Sequence, residues 1–111
     1  MPHCVIEHSA SFDSHDVVQK VFAAAVKSEL FAADGSDIKV RALSYQHYLT
    51  GNSQADFIHV TMRILSGRSP AQKVHLSQTV VDSLSGLLMA EMSISVEVVD
   101  IERDSYRKII G

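Results

Sequence analysis

Pro2 follows Met1 at the start of the chain, and its chemistry depends on whether Met1 is kept. Removal of Met1 turns the proline nitrogen into a secondary amine. The ordinary α-amino pKa is about 7.7–8.0, and nearby cations or an apolar pocket push it down toward the range in which a general base works at neutral pH. With Met1 in place the same nitrogen is an amide without a basic lone pair. Arg41 and Arg68 are the cations available to act on such an amine. Arg68 lies in the run Gly67-Arg68-Ser69-Pro70, ahead of a helical stretch whose free N–H groups and dipole favour an anion. A guanidinium there can grip a carboxylate through two parallel hydrogen bonds. Lys39 and Arg41 alternate within Ile38-Lys39-Val40-Arg41 and fall together on the polar face of their strand. Each residue also has a plainer reading: an incidental proline, a solvated loop arginine, and surface or interface ion pairs of Lys39 and Arg41 with Glu7 or Glu97.

Other chemistry has less support. His3 and His59 fall on the same side of their strands, but no third ligand at suitable spacing joins them, so no metal is expected. The lone cysteine, Cys4, sits in an apolar phase and reads as a small core residue. It permits no internal disulfide and, with six histidines but no second thiol, no usual structural zinc site.

The chain has 111 residues, and 10 Lys and Arg against 13 Asp and Glu leave a formal net charge of −3. With 46% hydrophobic residues it has the make-up of one globular domain, able to bury a core unaided. No basic stripe is present for nucleic-acid phosphates. The N-terminus lacks a signal peptide's basic and apolar regions, and the apolar runs fall far short of the roughly 20 residues that span a bilayer. The expectation is a soluble, cytoplasmic protein without nucleic-acid or membrane partners.

The elements that must position these residues follow from periodicity. Pro2 to His8 alternates Cys4 and Ile6 against His3, Val5 and Glu7, which predicts a strand. Val18, Val21, Phe22, Ala25 and Val26 then recur at helical spacing, capped by Asp13 or Ser14, and predict a helix to about Ala33 with Gly35 in the turn that ends it. Ile38 to Tyr45 and Phe57 to Leu65 alternate again, separated by turn-forming residues around Gly51-Asn52-Ser53. Ser69-Pro70 predicts a helix start, with an apolar stripe of Val74, Ser77, Val80, Val81, Leu84, Leu87 and Leu88. Ser93 to Ile101 is a fourth strand.

The order is β-α-β twice. A shift of 56 residues lays Ile38-Lys39-Val40-Arg41 on Ile94-Ser95-Val96-Glu97, so the chain reads as one domain of two pseudo-repeats, about residues 1–48 and 57–103. The fold class is α/β (α+β): a four-stranded mixed sheet with both helices on one face. The other face carries Val5, Glu7, Lys39, Arg41, Leu43, His59, Thr61, Arg63, Glu97 and Val99. Its mixture of charged and apolar side chains suits a subunit interface, so an oligomer is expected.

Met1-Pro2-His3 opening a strand, the duplicated β-α-β order, Arg41 on the second strand and the run Phe57-Ile58-His59-Val60-Thr61-Met62-Arg63-Ile64-Leu65-Ser66-Gly67-Arg68-Ser69 together resemble the 5-carboxymethyl-2-hydroxymuconate isomerase family of the tautomerase superfamily. The resemblance covers nearly the whole chain. It implies a cofactor-free isomerase that forms a homotrimer with its sheets facing inward. Pro2 would be the base that shuttles a proton on a small unsaturated 2-hydroxy acid of aromatic-compound catabolism, and Arg68 would bind or polarise the substrate's carboxylate or carbonyl oxygen. The second cation, an arginine in the family, falls on Lys39 or Arg41. Two alternatives stand beside this: a phenylpyruvate-type tautomerase or hydratase of the same superfamily, and a non-catalytic βαβ oligomeric binding module.

Overall fold

A computed structural model describes all residues, 1–111. Strand β1 spans Pro2–Ser9. Pro2, Cys4, Ile6 and His8 point into the core, as alternation requires. Helix α1 spans Ser14–Lys27, with the Asp13 carboxylate accepting from the His15 N–H and Val17, Val21, Ala24 and Ala25 forming its buried stripe. It ends earlier than the expected Ala33. The Ser28 hydroxyl takes the Ala25 carbonyl at 2.6 Å, and Glu29 turns into the left-handed region at φ 61°. Apolar spacing continues past Lys27, but beyond Glu29 side chains take several backbone groups out of the helical pattern: Ser28 Oγ accepts from the Leu30 N–H, Asp37 from the Ala32 N–H and Asp34 from the Ser36 N–H. Gly35, at φ 73°, belongs to a separate turn in which its N–H donates to the Ala32 carbonyl at 2.9 Å.

Strand β2 spans Lys39–Tyr45 and β3 spans Phe57–Leu65. Helix α2 spans Pro70–Leu84 and opens with a capping box: Ser69 Oγ accepts from the Gln72 N–H, and the Ser69 N–H donates to Gln72 Oε1. Its buried stripe is Leu76, Val80 and Leu84. Val74 is 65% exposed and Leu88 57% exposed, against the stripe read from sequence. Val74 lies about 200° around the helix from Leu76 at two residues' separation, and Leu88 follows the short 3₁₀ turn Ser85–Leu87, beyond the helix. Strand β4 spans Ser93–Ile101.

The sheet order is β2-β1-β3-β4, with the pairs β1/β2 and β3/β4 parallel and β1/β3 antiparallel. Moving Ser9, Ser14 and Tyr45 by 56 positions gives Leu65, Pro70 and Ile101, so the end of β1, the start of α1 and the end of β2 correspond to the same points of β3, α2 and β4. One apolar core joins Cys4 and Ile6, Ile58 to Ile64 in alternation, and the buried stripes of both helices, which therefore cover a single face of the sheet. The opposite face is open, with Leu43 57% exposed.

That open face does not carry the ion pairs expected from sequence. β2 and β4 are opposite edges, so Arg41 and Glu97 are never neighbours. Glu7 instead accepts from the Tyr45 hydroxyl at 2.7 Å, while His59 bridges Ser95 Oγ at 2.7 Å and Glu97 Oε2 at 2.6 Å.

Candidate active site

The Pro2 ring is fully buried and pairs across β1/β3 with Ile64. With Met1 attached, the free amino group is that of Met1. It lies 3.1 Å from Asp37 Oδ2, while Asp37 Oδ1 accepts from the Ala32 N–H at 3.2 Å. Burial pushes the Asp37 carboxyl up, but the hydrogen bonds from the amino terminus and from Ala32 outweigh it and hold the group below the usual carboxylate range.

One residue on, the side chain emerges on the open face. His3 stands opposite Lys39 on β2 and opposite Arg63 on β3. Arg41 Nη1 donates to His3 Nδ1 at 3.1 Å, and His3 Nε2 lies 3.1 Å from the Tyr106 hydroxyl, with the two rings edge to face at 6.3 Å. The His3 pKa is lowered, first by burial and then by the positive charges of Arg41, Lys39, the amino terminus and Arg63. The start of β1 therefore lies in a positive field. A cavity of about 530 Å³ adjoins it, lined by Ser36, Asp37, Lys39, Lys108, Ile109 and Ile110. Lys39, Lys108 and the Asp37 carboxylate supply its charged lining, and Ile109 and Ile110 its apolar wall.

Arg68 occupies a different place. Gly67, at φ 119°, turns the chain out of β3. Arg68 Nη2 then donates to the Leu30 carbonyl at 2.7 Å, with the guanidinium carbon 5.7 Å from the centre of the Phe31 ring. Arg68 and Asp37 thus grip the same α1–β2 loop, at Leu30 and Ala32. Of the residues read from sequence, Lys39 and Arg41 stand beside the Pro2 end of β1, and Arg68 reaches that end only through the loop. A further cavity of about 500 Å³, lined by Val26, Lys27, Glu29, Phe31 and Ala33, lies along this loop.

Sequence reasoning missed His3, Asp37 and Tyr106 as parts of this constellation. The alternation in β1, β2 and β3 contained the signal for His3, because strand register alone sets it between Lys39 and Arg63. Asp37 was hidden among turn formers, and Tyr106 lies in a tail without periodicity. Cys4 is buried, and burial pushes its thiol up to about 12, which leaves no thiolate nucleophile at neutral pH. No three His, Cys, Asp or Glu side chains gather as metal ligands, and no helix is long and apolar enough to cross a membrane.

Solved structures share this architecture. A 5-carboxymethyl-2-hydroxymuconate delta-isomerase superposes with a TM-score of 0.75 at 20% identity, covering 100% of this chain and 89% of its own. A 5-carboxymethyl-2-hydroxymuconate isomerase from Deinococcus radiodurans R1 gives 0.74 at 19% identity, with 99% and 90% covered. A fused 4-OT protein, described as a wild-type symmetric trimer, gives 0.72 at 13%, with 94% and 91% covered. At these identities the likeness establishes the fold, a duplicated β-α-β sheet. No curated protein sequence matches the chain. The family model of 5-carboxymethyl-2-hydroxymuconate isomerase matches residues 2–108, and the chain belongs to that family of isomerases.

Proposed function

We propose that the protein is a cofactor-independent tautomerase in which the Pro2 amine, freed by removal of Met1, moves a proton on a small unsaturated 2-hydroxy dicarboxylic acid of the 5-carboxymethyl-2-hydroxymuconate type. The observation that carries this reading is the positive field at the first residues of β1, made by Lys39, Arg41 and Arg63 around His3. These cations act on an amine one residue away in the sense that lowers its pKa, and Asp37 acts in the opposite sense. Cations beside an amine favour its neutral form, the form in which it serves as a base.

In the proposed reaction Pro2 accepts the proton of the dienol and returns one to carbon, so that the double bond moves and the enol becomes a ketone. The proton count is unchanged, and no redox partner is needed. Lys39 and Arg41 hold a substrate carboxylate. Arg68 spends one of its five N–H donors on Leu30. We assign those that remain to the oxygen on which charge develops, which requires the substrate to reach from the Pro2 end of β1 to the loop that Arg68 grips.

The chain acts, in this proposal, as one domain of two β-α-β halves, in a homotrimer with the open sheet faces turned inward and in the cytoplasm. The apolar members of that face, Val5, Leu43 and Val99, and the trimeric state of the fused 4-OT relative support the assembly. Ultraviolet-monitored ketonisation of a panel of dienols by the Pro2-starting protein tests the substrate class. Preference for dicarboxylates is expected. Preference for phenylpyruvate would assign the chemistry to another acid of the same superfamily.

A further inference from the structure

His3 sits between two groups that dictate its protonation. A guanidinium has no acceptor, so the 3.1 Å contact between Arg41 Nη1 and His3 Nδ1 exists only when Nδ1 is bare. The proton of the neutral ring then lies on Nε2, which donates to the Tyr106 hydroxyl at 3.1 Å. Tyr106 belongs to the segment after β4, and that segment is itself pinned where Arg103 Nε donates to the Ser66 carbonyl. A line of hydrogen bonds therefore runs from the C-terminal tail through the second residue of β1 to the β2 arginine, joining parts of the chain 103 and 38 residues apart.

We infer that His3 is a positioning residue, whose bare Nδ1, with the ring proton on Nε2 toward Tyr106, fixes the guanidinium of Arg41 at the Pro2 end of β1. Arg41 carries four rotatable side-chain bonds and lies exposed on an edge strand. Without a partner it would lose rotamer entropy each time it bound an anion. With one donor anchored on His3 the remaining fork is preorganised for a carboxylate. The lowered His3 pKa agrees with this arrangement, since burial, Arg41, Lys39, the amino terminus and Arg63 all oppose a second proton on the ring. No carboxylate contacts His3. The inference rests on the reading of Pro2 and Arg41 as active-site groups.

Two measurements test it on the full chain beginning at Pro2. Two-bond proton–nitrogen correlation spectra should show His3 neutral and Nε2–H at pH 7, and Arg41→Ala should relax it toward a mixture of tautomers. An Nδ1–H ring, or an unchanged tautomer in Arg41→Ala, would overturn the proposal. In steady-state kinetics, His3→Ala should lower kcat/KM for a dicarboxylic dienol roughly tenfold or more, mainly through KM, as for loss of a hydrogen bond to a charged group. His3→Asn, whose Oδ1 replaces Nδ1 as acceptor, should recover most of that loss, and Tyr106→Phe should cost roughly two- to tenfold. Equal defects in the Ala and Asn variants would reduce His3 to a structural residue and overturn the inference. A native protein with the expected tautomer but no turnover on any acid would instead remove the Pro2 reading on which it rests, so the two failures are distinguishable.

Discussion

The amino group of Met1 and the carboxylate of Asp37 stand 3.1 Å apart, and the same carboxylate binds the Ala32 N–H. The beginning of the chain is thereby fixed to the turn that leads into β2, the strand that carries Lys39 and Arg41. One acidic side chain sets both the position of the terminus and the conformation of the loop beside it.

Asp37→Asn should weaken this junction. The folded-state pKa of Asp37 is lowered, so its contribution is fully present above the unfolded pKa of about 3.9 and is lost as pH falls through the folded value. Urea unfolding of the Met1-bearing chain should show the variant about 1 kcal/mol less stable at neutral pH. Below about pH 4 the difference should shrink as the native carboxylate takes up its proton. A gap that persists at low pH would mean that the ion pair is not its source.

Arg68→Ala removes both the hydrogen bond to Leu30 and the contact with Phe31. A stability loss of about 1–2 kcal/mol is expected, together with a fall in kcat/KM. Arg68→Lys keeps the charge but not the planar fork, and should recover less activity than stability. Native stability in Arg68→Ala would show that the Leu30 contact contributes nothing to the loop.

Gly35→Ala addresses the same loop from the backbone. A Cβ at Gly35 would lie 2.5 Å from Phe22 Cζ, at φ 73°. Gly51 has a similar φ of 70° but nothing within 4 Å of the added atom. The Gly35 variant should lose about 2–3 kcal/mol and the Gly51 variant about 1 kcal/mol, the difference being the steric part. Equal losses in chemical denaturation would refute the close packing of Phe22 on the turn.

The open sheet face gives a prediction about assembly. Sedimentation at micromolar concentration should report a trimer, and Leu43→Asp, which places a charge at an exposed apolar position of β2, should shift it toward monomer without unfolding the chain. A native monomer would contradict the proposed use of that face.

Much of this was legible in the residues. Period-2 alternation located β1, β3 and β4 almost to the residue, since each has one face in the core and one outside it. The Ser69-Pro70 pair marked the start of α2 because a hydroxyl cap and a residue without an N–H solve the same end-of-helix problem. The end of α1 was not legible. Ser28, Glu29 and the grip of Arg68 on Leu30 decide it, and a contact between residues 38 apart leaves no local trace. For the same reason Arg68 could be recognised as a functional candidate from its turn and helix start, while its engagement with Leu30 could not. Tyr106 lies where neither period operates, so its approach to His3 emerges only from the tertiary structure.

The most direct measurement compares two samples of the same protein, one shown by mass spectrometry to begin at Pro2 and one that retains Met1, in ultraviolet-monitored ketonisation of a 5-carboxymethyl-2-hydroxymuconate-type dienol. Turnover by the first and none above background by the second is the predicted result, because only the free secondary amine has a basic lone pair. Equal turnover by both samples would contradict the assignment of Pro2 as the base.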